Sequence, residues 1–259
     1  MSDKLSRRKL ITTGLATAAG ASGLGAAAVL AKRYGLVPPD HGGIYGVGET
    51  LTYAAQRILT SHHSLAREFN RSDISKVAPV NGPPPENETY QRLKAGGFVD
   101  WRLTVDGAVA RPSSFSLADL KRFPTSTQIT HQACEEGWSF IAEWTGVRLS
   151  YVLNLVGVHP RAKYAVFFPY ENGQPPVAWW ESIDMPDAWH PQTFLAYGMN
   201  GQDLPGPHGA PVRLKVARQL GYKSVKYLTR MTIVDSVKNI GKGLGGSNPE
   251  IGYSWYAGI

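Results

Sequence analysis

Apolar and polar residues alternate along several short stretches after residue 100. Trp101, Leu103 and Val105 share one face of a predicted strand, which ends in a predicted turn at Asp106-Gly107. The same alternation predicts further strands at residues 127–131, 164–168, 212–216 and 227–234. Strands outnumber helices and no internal repeat is visible. The predicted fold class is therefore α+β, with mixed β-sheets and short helices in one domain.

Helical spacing of apolar residues occurs in three segments, residues 51–59, 117–123 and 149–156. Ser116 is the predicted N-cap of the second helix, and Pro124 ends it. Asn200-Gly201 predicts a hairpin turn within residues 194–204. The proline-rich residues 79–87 exclude helix and central strand, so an irregular loop is predicted there.

The composition is that of a globular protein. The chain has 259 residues, of which 42% are hydrophobic and 18% are charged, which excludes disordered chains, coiled coils and multi-span membrane proteins. The net charge is +7, but residues 1–33 hold six of the 27 Lys and Arg and one of the 20 Asp and Glu. The remaining 21 basic and 19 acidic residues give +2, so nucleic acid is not an expected partner.

The N-terminus carries the pattern of an export signal. Ser6-Arg7-Arg8-Lys9 precedes 22 uncharged, weakly apolar residues from Leu10 to Ala31, which predicts a twin-arginine signal over residues 1–33. A Sec signal or an uncleaved anchor helix is the alternative. We expect a periplasmic protein, tethered to the membrane if the signal is retained. Because the twin-arginine route carries folded proteins, the signal also indicates a cofactor.

The remaining chain is divided by composition. Residues 34–70 are predicted to be a linker and an N-terminal helix, and residues 71–259 are predicted to be the functional domain.

Cys134 is the single cysteine and cannot form an internal disulfide. It follows the predicted strand 127–131 and precedes the turn-forming Glu135, Glu136 and Gly137, a common position for a functional side chain. Three interpretations stay open: a structural apolar residue, a nucleophile activated by His131, or a metal ligand. An exposed catalytic thiolate would be prone to oxidation outside the cytoplasm, whereas a metal ligand is shielded.

A basic segment follows later in the chain. His208, Arg213, Lys223 and Lys226 lie within 19 residues, and this density is typical of either a solvated rim or an anion pocket.

Three blocks of residues carry a family resemblance. They are Cys134-Glu135-Glu136-Gly137-Trp138-Ser139 with Trp144-Thr145-Gly146-Val147, His190-Pro191-Gln192-Thr193 with Leu195-Ala196-Tyr197, and His208-Gly209-Ala210-Pro211-Val212-Arg213 with Gly221-Tyr222-Lys223. Together they resemble the sulfite-oxidase family of molybdopterin enzymes, in the branch of the periplasmic methionine sulfoxide reductase. The resemblance spans residues 70–259 and implies the sulfite-oxidase-type molybdopterin-binding fold. Too few residues follow position 235 for the dimerisation domain of sulfite oxidases, so we expect a monomer without it.

The resemblance assigns roles to particular residues. It makes Cys134 the molybdenum ligand and places the phosphate of molybdenum-molybdopterin at His208, Arg213 and the run Lys223, Ser224, Val225 and Lys226. Asn81, or else Asn70, corresponds to an asparagine that faces the cofactor. Glu136 is the candidate proton donor, or a solvated turn carboxylate, and Trp138 and Trp144 are expected to pack the site. Phe168-Pro169 departs from the family, which has a threonine there.

The implied activity is oxygen-atom transfer. We expect reduction of an S-oxide or N-oxide, either small or protein-bound, with electrons from a membrane b-type cytochrome. A sulfite dehydrogenase is the alternative, for which His131 and Arg148 are candidate substrate cations. A noncatalytic exported binding protein with a structural Cys134, and a thiol hydrolase using Cys134 and His131, are the rivals from other classes.

Overall fold

A computed structural model of the chain describes residues 23, 26, 27, 29–59, 64–170 and 179–259. It divides into two compact units, Met1–Leu59 and Thr60–Ile259. Most of the predicted export signal lies outside the described residues, and its assignment stays a prediction. Among the residues that the structure describes, no helix combines the length and apolar character needed to cross a membrane.

The first unit contains helix α1, Gly46–Leu59. This confirms the helix predicted at residues 51–59, which begins earlier than its apolar spacing indicates. Glu49 lies in the first turn and Arg57 in the last, the arrangement that complements the helix dipole.

The second unit contains two five-stranded sheets among the described residues. The first has the order β2-β1-β10-β5-β6, and the second has the order β3-β4-β7-β8 with β9 paired to β7. The strands are β1 (Arg102–Gly107), β2 (Ser113–Ser116), β3 (Thr125–Ala133), β4 (Ser139–Arg148), β5 (Tyr164–Pro169), β6 (Glu181–Asp184), β7 (Thr193–Met199), β8 (Gln202–Asp203), β9 (Arg213–Val216) and β10 (Leu228–Val234). The first sheet is mixed, since β1 runs parallel to β10 and antiparallel to β2, whereas the strand pairs described in the second sheet are all antiparallel.

Short helices connect the strands. They are α2 (Glu88–Ala95), α3 (Leu117–Arg122), α4 (Leu149–Val156), α5 (Met185–Ala188) and α6 (Ser247–Glu250), with 3₁₀ turns at Arg71–Asp73, Gly206–His208 and Gly221–Lys223. The prediction of an α+β fold is thereby confirmed. Residues 235–259 form turns, bridges and α6, and among these described residues no dimerisation domain is present.

The main hydrophobic core takes side chains from both sheets and from α4. Leu103 and Val105 of β1 pack with Leu195 of β7 and Leu214 of β9. Each fully buried aliphatic side chain of this kind contributes about 1.5–3 kcal/mol. Trp101 adds its buried ring and donates a hydrogen bond from Nε1 to the Leu228 carbonyl over 2.9 Å, which fixes the start of β1 against β10.

The predicted cap of α3, the predicted hairpin turn and the predicted irregular loop are confirmed. Ser116 caps α3 by accepting a hydrogen bond from the Asp119 amide over 3.0 Å, and the helix ends before Pro124. Asn200 and Gly201 join β7 to β8 with φ values of 53° and 77°, the left-handed pair of a tight hairpin. Residues 79–87 form the irregular loop that was predicted.

The turn predicted at Asp106-Gly107 is wrong. Both residues belong to β1, and Gly107 pairs with Ile233 of the parallel strand β10. A Cβ at Gly107 would lie 2.2 Å from the Ile233 carbonyl oxygen, so glycine here serves the close approach of two strands.

The sequence pattern also missed β2, β4 and β6. In β4 the polar Glu143 interrupts the apolar pattern that predicts a strand. Its side chain is nevertheless buried, and it forms an ion pair at 2.6 Å with the exposed Arg71. Since Arg71 lies far away in the sequence, the local pattern gave no sign that a carboxylate would be accepted inside a strand.

Gly146 is a position where the sheet tolerates no side chain. It lies at an irregularity between β4 and β7, and a Cβ there would be 2.2 Å from the Leu195 carbonyl oxygen.

We predict that Gly146→Ala lowers the free energy of unfolding by about 1–3 kcal/mol, measured by urea denaturation. Gly96→Ala is the control, because its Cβ would meet atoms no closer than 3.5 Å. Equal stability of the two variants would contradict this packing account.

Candidate active site

A cavity of about 770 Å³ opens at the carboxyl end of β3 in the second unit. Its walls include the loop of residues 79–87, the turn between β3 and β4, residues 207, 208 and 213 around the start of β9, and the segment that follows β9. The predicted site residues that line it are Asn81, Cys134, Glu136, His208, Arg213, Ser224, Val225 and Lys226. Residues distant in sequence are thus brought together as the resemblance implies.

Cys134 is placed by the turn that joins β3 to β4. Its amide donates to the Trp138 carbonyl over 2.9 Å, and Gly137 closes the turn with a φ of 89°, a conformation that favours glycine. The thiol Sγ lies 3.3 Å from Glu135 Oε2 and 3.8 Å from Glu136 Oε2. Burial raises the pKa of the Cys134 thiol. A raised pKa disfavours the thiolate form, which argues against the interpretation of Cys134 as a thiolate nucleophile.

Asn81 is the asparagine that reaches the thiol. The side-chain Nδ2 of Asn81 lies 3.8 Å from Cys134 Sγ, and the backbone carbonyl of Asn81 accepts a hydrogen bond from Lys226 Nζ. Lys226 also donates to the Pro207 carbonyl over 3.1 Å, so one ammonium group ties the loop of residues 79–87 to the His208 segment. Asn70 begins the Arg71–Asp73 turn and does not line the cavity.

Arg213 lies inside the protein without an ion-pair partner among the described residues. The side chain is 4% exposed and donates to the carbonyls of His208 and Ser224, each over 2.9 Å. Burial lowers the pKa of Arg213 to about 10. Since guanidinium normally binds carboxylate or phosphate when buried, this residue is suited to an anion entering the cavity.

His208 completes this end of the cavity. Burial, followed by the charges of Arg213 and Lys226, lowers the pKa of His208 to about 4. The imidazole is therefore neutral near pH 7, and its ring packs edge-on against Phe140 with centroids 5.8 Å apart.

Lys215 is a buried cation that the sequence interpretation missed. It is 1% exposed, and its Nζ donates to the His131 carbonyl over 2.9 Å and to Gln132 Oε1 over 2.8 Å. Burial and the neighbouring Arg213 lower the pKa of Lys215 well below its usual value. The alternation of side chains along a strand could have revealed this residue, because Arg213 and Lys215 are two positions apart and therefore share one face of β9.

Lys223 does not reach the cavity. Its ammonium group is fully buried and pairs with Glu181 Oε2 at 2.8 Å, while Glu181 Oε1 accepts from the amide and the side chain of Asn248. Ser224, the next residue, accepts from the Val216 amide through Oγ over 3.0 Å. A direct phosphate contact by the Lys223 side chain is thus not supported, and its ion pair anchors the turn that carries Ser224.

The other predicted candidates occupy different surroundings. Glu136 is exposed and accepts a hydrogen bond from Trp138 Nε1 over 2.8 Å. Trp144 is fully buried beneath Arg213, whose guanidinium carbon lies 5.0 Å from the centroid of the tryptophan ring.

The residues considered for sulfite binding and the departure from the family lie elsewhere. His131 and Arg148 do not line the cavity. Phe168 stacks on Trp180.

The residues present fit molybdopterin. Its phosphate is an anion of the kind that Arg213, Lys226 and Ser224 can bind, and its metal requires the soft thiolate that Cys134 can supply. Close packing leaves room for no further side chain at Gly221, where a Cβ would be 3.0 Å from the Ala133 carbonyl oxygen. The cavity thus has one end whose residues suit an anion and another end whose thiol suits a soft metal.

Glu181 and Lys223 form a fully buried ion pair whose partners depend on each other. We predict that Glu181→Gln lowers the free energy of unfolding by about 3–5 kcal/mol in urea denaturation, because Lys223 then stays buried without a carboxylate. The double variant with Lys223→Met is expected to recover part of the loss. A single variant within about 1 kcal/mol of wild type would contradict the account.

His208 should make stability depend on pH. The unfolded chain binds a proton near pH 6.5 and the folded protein only near pH 4, so stability falls as pH decreases through this window. We predict a loss of about 1–3 kcal/mol, allowing for the partial exposure of the ring. Urea denaturation at several pH values gives the free energy of unfolding as a function of pH, and the decrease between pH 6.5 and 4 should be smaller in His208→Asn by this amount. The same slope in both proteins would refute the assignment.

Comparisons with known proteins agree with this chemistry. The family model described as oxidoreductase molybdopterin binding domain matches residues 91–240. A provisionally named protein-methionine-sulfoxide reductase subunit, YedZ1, of Azospira oryzae is 34% identical over 200 residues, which are 77% of this chain and 70% of the relative.

A solved structure shows a similar fold. The sulfane dehydrogenase SoxCD from Paracoccus pantotrophus matches with a TM-score of 0.50 and 28% identity, over 53% of this chain and 39% of that chain. The present chain thus corresponds to less than half of that structure. The chain belongs to the sulfite-oxidase family of molybdopterin-binding oxidoreductases and is an enzyme of that family.

Proposed function

We propose that this enzyme reduces an S-oxide or N-oxide by oxygen-atom transfer at molybdenum-molybdopterin. The observation that carries the proposal is that one cavity is lined by both the Cys134 thiol and the buried guanidinium of Arg213, which has no ion-pair partner among the described residues. Membership in a family of oxidoreductases argues against the rival interpretation, a noncatalytic binding protein. The name of the Azospira oryzae relative, a methionine-sulfoxide reductase subunit, supports an oxide as the substrate class.

The chain's own residues would bind and orient the cofactor. Arg213, Lys226 and Ser224 would hold the phosphate, neutral His208 would border it, and Cys134 would bind molybdenum. When bound, the cofactor supplies two-electron oxygen-atom chemistry. Cys134 is supplied by the turn after β3, His208 by the 3₁₀ turn before β9, and Arg213 by β9 itself. Ser224 and Lys226 come from the segment after β9, which the Glu181–Lys223 pair anchors.

Glu136 is suited to manage protons. Reduction of an S-oxide consumes two electrons and two protons and releases a sulfide and water. Glu136 is exposed to solvent, lies 3.8 Å from Cys134 Sγ and is held by Trp138, so it can pass protons from solvent toward the substrate.

Charge near the thiol favours a neutral oxide over sulfite. Glu135 and Glu136 both lie within 4 Å of Cys134 Sγ, and their carboxylates would repel a sulfite anion. His131 and Arg148, the cations expected for a sulfite dehydrogenase, do not line the cavity. Oxidation of an anionic sulfur compound is therefore the less favoured function.

The cellular setting belongs to the same proposal. The twin-arginine motif supports periplasmic location and delivery with the cofactor in place, or membrane tethering if the signal is retained. Electrons would come from a membrane b-type cytochrome, and the enzyme would act as a monomer on a small or protein-bound oxide.

Metal content tests the proposal. We predict about one molybdenum per chain in protein from a host that makes the cofactor, because Cys134 and the pterin together hold the metal. Cys134→Ser and Arg213→Met should each lower molybdenum at least about tenfold by elemental analysis.

The matched control is Arg148→Met, a cation of the same sheet that lies outside the cavity. It should retain the metal. Metal-free wild type, or full metal in both Cys134→Ser and Arg213→Met, would refute the proposed site, and absence of oxide reduction by the loaded wild type would refute the proposed reaction.

A further inference from the structure

Gln132 presents an unused hydrogen-bond donor to the cavity. The residue lies in β3 two positions before Cys134, is 5% exposed and lines the cavity wall. Its Oε1 accepts from Lys215 Nζ over 2.8 Å. Its Nε2 donates to no group within the described part of the protein. This end of the amide faces the space of the cavity, so an oxygen atom of a bound ligand can accept its hydrogen bond there.

Lys215 determines which end of this amide faces the cavity. An ammonium group donates and cannot accept, so it must face the oxygen of the Gln132 amide. The other contact of Lys215 is also to an oxygen, the His131 carbonyl at 2.9 Å, and both contacts run from the lysine nitrogen to an acceptor. With the amide turned over, Nε2 and the ammonium group would oppose each other as two donors.

Gly221 keeps the free end of the amide accessible. A Cβ at this position would lie 2.7 Å from Gln132 Nε2, so any side chain there would displace the amide. Gly221 itself lines the cavity and begins the 3₁₀ turn that leads to Ser224. The donor therefore lies on the strand that leads to Cys134 and faces the turn that leads to Ser224.

We propose that Gln132 is a ligand-binding residue that donates from Nε2 to an oxygen acceptor in the cavity, and that Lys215 is its positioning residue. This inference rests on the proposed function. The acceptor is an oxygen of the pterin cofactor or the oxide oxygen of the substrate, since both offer the same chemistry to an amide donor.

Three variants separate ligand binding from a structural role. Gln132→Leu removes the amide, and Gln132→Glu keeps an acceptor for Lys215 but replaces the donor by a second acceptor. Lys215→Met leaves the donor but frees its orientation. Gln128→Leu is the matched control, because Gln128 lies on the same face of β3, is buried, and binds the Gln192 carbonyl outside the cavity.

Two measurements on protein purified with its cofactor distinguish the two acceptors. The first is retention of pterin and molybdenum after prolonged dialysis, which reports on the cofactor. The second is the KM for dimethyl sulfoxide, with reduced methyl viologen as electron donor, which reports on the oxide. We expect Gln132→Leu and Gln132→Glu to change one of them by about tenfold relative to Gln128→Leu.

Each outcome decides the role of Gln132. Faster cofactor loss assigns the acceptor to the pterin, and an increased KM with normal retention assigns it to the substrate. Values equal to those of Gln128→Leu overturn the inference, as does a Gln132→Glu variant that behaves like wild type. If the loaded wild type reduces no dimethyl sulfoxide, the proposed reaction fails for this oxide. Retention then decides alone, and equal retention overturns the inference.

The positioning role of Lys215 is tested by combining variants. Lys215→Met should weaken the same parameter as Gln132→Leu and by no more than that variant. In the Gln132→Leu background it should have no further effect, because the amide it orients is gone. Independent, additive effects of the two substitutions would overturn the positioning role.

Discussion

Two positive charges on one face of β9 lie inside the protein, and within its described part neither meets a carboxylate. Arg213 and Lys215 are 4% and 1% exposed, they repel each other, and burial lowers the pKa of both. Transfer of such charges from water is unfavourable unless an anion or several hydrogen bonds compensate. Backbone carbonyls and Gln132 supply the hydrogen bonds, and the cavity offers space for the anion. The fold around β9 thus maintains a charge that a ligand is needed to balance.

The segment after β9 is rigidly held by contacts from distant parts of the chain. Lys223 pairs with Glu181, and Tyr222 donates to the Ser254 carbonyl over 2.6 Å. The Leu220 amide donates to the Ala257 carbonyl over 2.8 Å, so the C-terminal residues fasten the turn from outside. Pre-organisation of this kind lets Ser224 and Lys226 bind without ordering a loop first.

Local signals predicted much of the fold and the position of the thiol. Ser116 and Pro124 delimit α3 through chemistry contained in a few residues, and the break after residues 127–131 correctly placed Cys134 beyond a strand. Asp106-Gly107 misled, because the reason for glycine is the approach of Ile233, which only the parallel pairing reveals. Lys223 was expected at the phosphate, since the sequence could not show that Glu181 and Asn248 converge on its neighbourhood. The alternation of side chains along β9 could have predicted that Lys215 lies on the same face as Arg213. Its hydrogen bond to Gln132 could not be predicted, because it depends on how distant segments pack together.

The central role proposed for Cys134 is that of a metal ligand, at the end of a cavity whose other end is proposed to bind an anion. Molybdenum X-ray absorption spectroscopy of the purified wild-type enzyme tests this most directly. We predict sulfur coordination from the pterin dithiolene together with one additional thiolate, and that additional sulfur should be missing from whatever metal Cys134→Ser retains. A wild-type spectrum with sulfur from the pterin alone would show that Cys134 does not bind the metal, and would contradict the account.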